Sequence, residues 1–273
     1  AGTDRSVSFV LKTGVALYGG FGGTETARTQ RNAAGNVTIL SGNIGDPASG
    51  ADNSYHVVTA NGTDATAVLD GFTVTGGNAD VGAFSVMAPT RQGGGMYVLS
   101  ASPTVAHCTF SGNGATEGGG GLFLDASSPG VAHCTFSGNG AQQGGGVFGC
   151  GSSNPTLTDC TLSNNTASQT GGGLLSGNGN PTLTRCTFSG NSAGYGGGVA
   201  KWNGGVTLAD CVLSGNTASV HGGGLHNGNS GAAALTDCTL SGNTAESGGG
   251  FYNDGTSNAT LTCCTLSSNT ALI

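Results

Sequence analysis

His107, His133, Asp159, Arg185, Asp210, Asp237 and Cys263 fill one column of this sequence, each directly before a cysteine that recurs every 25–27 residues. Imidazole and carboxylate groups are zinc ligands, and carboxylates are calcium ligands. If consecutive copies stack, His107, His133 and Asp159 form a candidate metal site. Asp210 beside Asp237 is a candidate calcium site. Arg185, between Asp159 and Asp210, would complete a surface ladder of ion pairs. Two histidines and one aspartate lack the spacing of a closed zinc site. The simpler reading is an exposed corner that tolerates polar variety, with no cofactor.

The cysteines beside this column form a second series: Cys108, Cys134, Cys160, Cys186, Cys211, Cys238 and Cys264. Stacked in the interior, they would behave as small hydrophobes. In an oxidising compartment, disulfides between adjacent copies are the alternative. The chain has nine cysteines, an odd number, so at least one is unpaired within it. Cys150 and Cys263 stand outside the series.

The elements that position these residues follow from a repeated phrase, C-T-[F/L]-S-x-N, with Val212 replacing Thr in one copy. Its asparagines form a third series: Asn113, Asn139, Asn165, Asn191, Asn216, Asn243 and Asn269. A glycine run and an apolar residue follow each but the last, as in "GGGV" at 144–147 and "GGGL" at 171–174. The phrase is rich in β-branched residues and turn formers, which disfavours helical repeats. Cys160 and Leu162 point one way, Thr161 and Ser163 the other. Leu157 breaks that alternation, so a bend falls near Thr158–Asp159. Each unit then holds about three short strands. Stacked units make a parallel β-solenoid of about ten coils, roughly 4.8 Å apart, in a rod about 50 Å long. Leu157, Cys160, Leu162, Ala167 and Leu174 face inward, and the asparagines stack at a corner where their amides can satisfy the turn.

We expect one domain over residues 1–273. Residues 108–273 are the regular coils, and residues 1–107 are less regular, with an insertion at about 80–92 and Phe72 at a cysteine position. An inserted loop of this kind is either a plain surface loop or part of a binding face.

The 55 glycines would ordinarily suggest disorder or collagen. Collagen is excluded, because glycine does not fall at every third position. Disorder fits poorly, because charge is sparse and apolar residues recur in register. Seven basic against fourteen acidic residues provide no basic stripe, which argues against a nucleic-acid partner. No apolar run approaches the ~20 residues of a membrane-crossing helix, so no transmembrane segment is expected.

"FSGN" followed by "GGGL" or "GGGV" resembles the FxxN and GGA[I/L/V] repeats of chlamydial polymorphic outer-membrane proteins and of related environmental bacterial surface proteins. "VALYGGFGGTETARTQRN", "TILSGNIGD" and "LDGFTVTGGNA" are similar to the N-terminal part of the environmental group. The resemblance implies a right-handed parallel β-helix, extracellular or on the cell surface, with an adhesive or structural role. The chain departs from the chlamydial pattern in using GGG for GGA and in its cysteine column.

Pectin-cleaving enzymes share this architecture, which makes a pectate-lyase-like polysaccharide-binding or polysaccharide-cleaving protein the alternative. Glycosidases need two carboxylates across the scissile bond. After residue 110 there are seven acids on different coils and two bases, Arg185 and Lys201, with no pair at a suitable spacing. No catalytic residue is assigned, and the expectation is a protein that is not an enzyme. A further alternative is ice binding, from the outward hydroxyls Thr109/Ser111, Thr135/Ser137, Thr161/Ser163, Thr187/Ser189, Thr239/Ser241 and Thr265/Ser267. Thr is also simply a good exposed strand residue.

The chain opens mid-pattern at Ala1, as a processed or excised piece would, and stops at Ile273 before a glycine run. Open strand edges recruit other strands. The sequence is therefore read either as a fragment or as a unit that self-associates end to end, which would give a filament. A glycan or host surface is the other partner considered.

Overall fold

A computed structural model describes residues 4–81 and 89–273. Residues 82–88 of the expected insertion lie outside the described residues. One coil illustrates the whole. It runs through Leu122–Asp125, Gly130–Ala132, Thr135–Ser137 and Gly140–Gln143. These four strands lie on four faces, called here A, B, C and D. Each pairs in parallel with its counterpart one coil on, Thr135 with Thr161 and Val131 with Leu157 among them. Faces A, B and C are nine strands deep and face D eight. The protein is an all-β, right-handed parallel β-helix, seven of whose coils carry the cysteine phrase.

Four strands per coil replace the expected three, and nine coils the expected ten. The additional strand is face D, directly after the asparagine. It spans two to five residues, as in Gly114–Ala115 and Thr166–Thr170. Such lengths offer too little alternation to read, and a register shift between the Ala141–Ala167 and Gln143–Thr170 pairs hides it further.

The interior is a stack of like on like. Leu157, Cys160, Leu162, Ala167 and Leu174 are all at most 3 % exposed. The rings of Phe110 and Phe136 lie 4.8 Å apart and nearly parallel. Burying each such ring contributes about 1.5–3 kcal/mol. The register of Thr73 with Thr109 places Phe72 opposite Cys108, so the irregular coils join the same columns.

The inward column of face A changes character along the rod. It reads Val98, Leu124, Gly149, Ser176, Lys201, Asn227, Asn253. Lys201 is fully buried. Its ammonium donates to the Ser176 hydroxyl at 3.2 Å, the Gly179 carbonyl at 2.6 Å, and the carbonyls of Gly177 and Trp202. Burial pushes Lys201 down to about 8, so at neutral pH it keeps the proton that these oxygens accept.

Left-handed backbone recurs at the corners of each coil, and two of these corners set the repeated polar side chains. One is the residue before the cysteine, with φ between 49° and 54° at His107, His133, Asp159, Arg185, Asp210, Asp237 and Cys263. The other precedes the asparagine, at Gly138 and Asn164 for example. The glycine run makes the turn from face D to face A. Gly144 has φ 57°, and a Cβ on Gly145 would stand 2.4 Å from the Thr166 carbonyl of the next coil. That approach accounts for glycine beyond the one position that needs positive φ.

Candidate functional site

The polar column before the cysteines occupies the corner between faces B and C. Asp and His are among the residues that adopt left-handed backbone most readily, so the corner's conformation itself selects much of this column. The structure brings several of its members into contact. The rings of His107 and His133 stack with centroids 5.1 Å apart. His133 Nδ1 lies 3.9 Å from an Asp159 carboxylate oxygen. Arg185 donates to the two Asp159 oxygens at 2.7 and 2.8 Å. These hydrogen bonds hold the Asp159 carboxyl below its ordinary range.

Arg185 makes its ion pair with Asp159 and does not bridge to Asp210, so the expected ladder is one pair long. Among the described residues no three His, Cys, Asp or Glu side chains are grouped to hold a metal ion. Asp159 is committed to Arg185 and His107 to Asp70, while Asp210 and Asp237 have no third ligand beside them.

Asp70 was not singled out in the sequence, yet it is the best-connected acid in the region. It accepts from His107 Nδ1 at 2.9 Å and from Arg31 at 2.6 Å. Arg31 belongs to the irregular segment between the strands Ala16–Tyr18 and Thr38–Ser41. This segment leaves the wall and returns over the face B–face C corner. Between segment and wall lies a recess of about 710 Å³, lined by Arg28, Arg31, Asp70, His107, His133 and Thr109 among others. Arg28 donates to the Tyr18 hydroxyl at 2.6 Å and lies over its ring. His107 and His133 are about half exposed at the recess. Nothing in a periodic pattern could signal this site, because its basic side arises from the aperiodic N-terminal coils.

From Asn113 to Asn243 the asparagine column has no exposed face. Asn165 is fully buried. Its carbonyl oxygen accepts from the backbone and side-chain nitrogens of Asn139, both at 3.0 Å. Its own amide donates to the Phe136 carbonyl and to Asn191. The same pattern runs from Asn113, which accepts from Gly77, to Asn269. The thiols of the cysteine column are free and donate to carbonyls, Cys134 to that of Ala132 at 3.2 Å. Burial pushes the Cys134 thiol well up, away from the reactive thiolate.

Cys150 belongs elsewhere. It packs outside face A with Tyr97 and Phe123, and burial with Asp125 nearby pushes its thiol up to about 12. The outward hydroxyls of face C are in register and half-buried, with Val212 interrupting the threonine file between Thr187 and Thr239.

Parallel four-faced coils with buried side-chain ladders define the class of this protein as a β-solenoid. The chain belongs to the right-handed β-helix family, whose model, the right-handed beta helix region, matches residues 36–218. No curated protein and no solved structure matches it. No helix among the described residues is long and apolar enough to cross a membrane.

Proposed function

We propose that the chain is a secreted or cell-surface structural scaffold, non-catalytic, adhesive along its wall toward a glycan or host surface, and joined end to end into a filament. One observation carries the reading: the repeated side chains are consumed in holding coil to coil, through four uninterrupted parallel sheets. That construction makes a stiff rod whose variable features lie outside. The likeness of its repeats to those of chlamydial and environmental surface proteins supports the extracellular placement.

End-to-end joining would engage the outermost described strands. Asn258–Thr262 and Thr265–Ser267 are exposed along their length, with Leu261 38 % and Leu266 50 % exposed. At the opposite edge Val37 and Ile39 are each 58 % exposed. A second copy would add a strand to several faces at once. Electron microscopy and light scattering over a concentration series test this. Filaments of constant width are expected, and discrete short rods at high concentration would refute it.

A second reading, polysaccharide binding or cleavage, is favoured by the recess over the face B–face C corner. Arg28 and the imidazoles there suit an acidic sugar, and the His107–Asp70 pair is a possible proton carrier. Incubation with acidic polysaccharides, with and without calcium, tests it, and unsaturated products would establish cleavage.

A further inference from the structure

The outward column of face A runs Tyr97, Phe123, Phe148, Leu175, Ala200, His226, Tyr252. Large side chains fill both ends, and Ala200 is the smallest member. Close to this point a recess of about 280 Å³ opens, lined by Tyr195, Trp202, His221, His226, Tyr252 and Asp254 with a neighbouring asparagine. The chain has one Trp, five Tyr and five His, and this recess takes the Trp, two Tyr and two His. The periodic wall does not account for such a concentration.

The lining combines ring faces with unsatisfied polar atoms. His221 stacks on Tyr252 at 4.1 Å, and Tyr195 meets His221 edge-on at 5.6 Å. Tyr195 is 37 % exposed. The Nδ1 atoms of His221 and His226 are buried and have no hydrogen-bond partner. His226 is only 7 % exposed, so its unpaired nitrogen is costly unless something polar meets it. Burial, with His221 beside it, pushes His226 down to about 4. At neutral pH its ring is therefore uncharged and offers one donor and one acceptor.

This chemistry excludes several ligand classes. No Arg or Lys lines the recess, and Asp254 stands in its wall, which disfavours an anion. No third metal-binding side chain is grouped with the two histidines. A purely apolar ligand would leave the imidazoles and the Asp254 carboxylate of the lining without a polar partner. The volume lies just below the usual range of small-molecule sites, about 300–1,000 Å³, which suits one ring.

We propose that the recess binds a single residue of a neutral glycan, its C–H face against Trp202 and Tyr195 and its hydroxyls toward His221, His226 and Asp254. The proposal rests on the adhesive reading and gives it a site and a ligand class.

Trp202 is the chain's only tryptophan, so fluorescence excited at the red edge, where tyrosine does not absorb, reports on this recess alone. The intact chain is titrated at pH 7 with cellotetraose, xylotetraose, mannotetraose and chitotetraose, with tetragalacturonate as the charged comparison, by fluorescence and calorimetry. A saturable fluorescence change with at least one neutral tetrasaccharide is expected. Trp202→Ala and Tyr195→Ala should each weaken calorimetric binding about tenfold, the effect of losing one stacking face, with unchanged circular dichroism. Silence toward every neutral sugar at millimolar concentration, or affinity unchanged in both variants, would overturn the proposal. So would tighter binding of tetragalacturonate than of any neutral sugar in the Trp202 fluorescence titration, which reads this recess and not the one beside Arg28. Filament assembly is scored separately by microscopy, so failure here is distinguishable from failure of the scaffold reading.

Discussion

Each coil turns through left-handed backbone where face B meets face C and again where face C meets face D, and the side chains that these corners place have opposite fates. At the asparagine corner the side chain just after the left-handed residue is Asn in all seven regular coils, and from Asn113 to Asn243 it is at most 2 % exposed. At the corner before the cysteine the left-handed residue itself is His, Asp, Arg or Cys, and it is partly or largely exposed. The inner amide sees the same neighbours in every coil and must satisfy the same backbone groups. The outer side chain answers to solvent and to whichever residue lies one coil away. Repetition in this sequence therefore marks burial, while chemistry is to be sought where repetition fails. The two recesses support this. One is roofed by the aperiodic N-terminal segment, and the other gathers Tyr195, Trp202 and His221, which no other coil repeats.

The largest expected effect is at the inner corner. Asn165→Ala removes four hydrogen bonds and strands the Asn139 and Phe136 backbone groups in the interior. A loss of about 3–5 kcal/mol in chemical denaturation is expected. Asn269→Ala, in the last coil and partly exposed, should cost about 1 kcal/mol, because water can replace the amide. Equal losses would break the link between burial and cost.

Lys201 sharpens the comparison from another side, since it is unrepeated yet fully buried. Lys201→Met should cost about 2–4 kcal/mol by orphaning the surrounding oxygens. A neutral result would mean that repetition, and not burial, tracks stability.

His226 gives a smaller, pH-dependent effect. An unfolded imidazole takes up its proton near 6.5, whereas burial lowers the folded value to about 4. Between these values the unfolded chain binds more protons, so stability falls as pH drops through this window and levels off below it. Denaturation at pH 7, 5.5 and 4 should show the decline, and His226→Gln should flatten it.

The smallest effect belongs to the outer corner. Arg185→Ala should leave the melting temperature unchanged within error, because its pair with Asp159 is exposed and screened. A clear loss would show that the outer column stabilises the stack.

Much of the fold was legible because a solenoid writes its geometry into a period. The 26-residue spacing located the coils, alternation around Cys160 and Leu162 identified the inward residues, and the break after Leu157 marked the left-handed residue at Asp159. The face D strands were not legible, since two residues such as Gly114–Ala115 carry no alternation. The metal reading of His107, His133 and Asp159 drew on proximity alone. The structure stacks the two rings but gives Asp159 to Arg185 and His107 to Asp70.

The sequence by itself determined the coil, its interior and the asparagine and cysteine ladders, because each copy meets the same surroundings and repeats the same solution. Tertiary structure alone decided the two recesses, the Asp70–Arg31–His107 contact and the oxygen cage around Lys201. These join residues from different coils or from the aperiodic segment, at distances set by the stacking and not by any spacing along the chain.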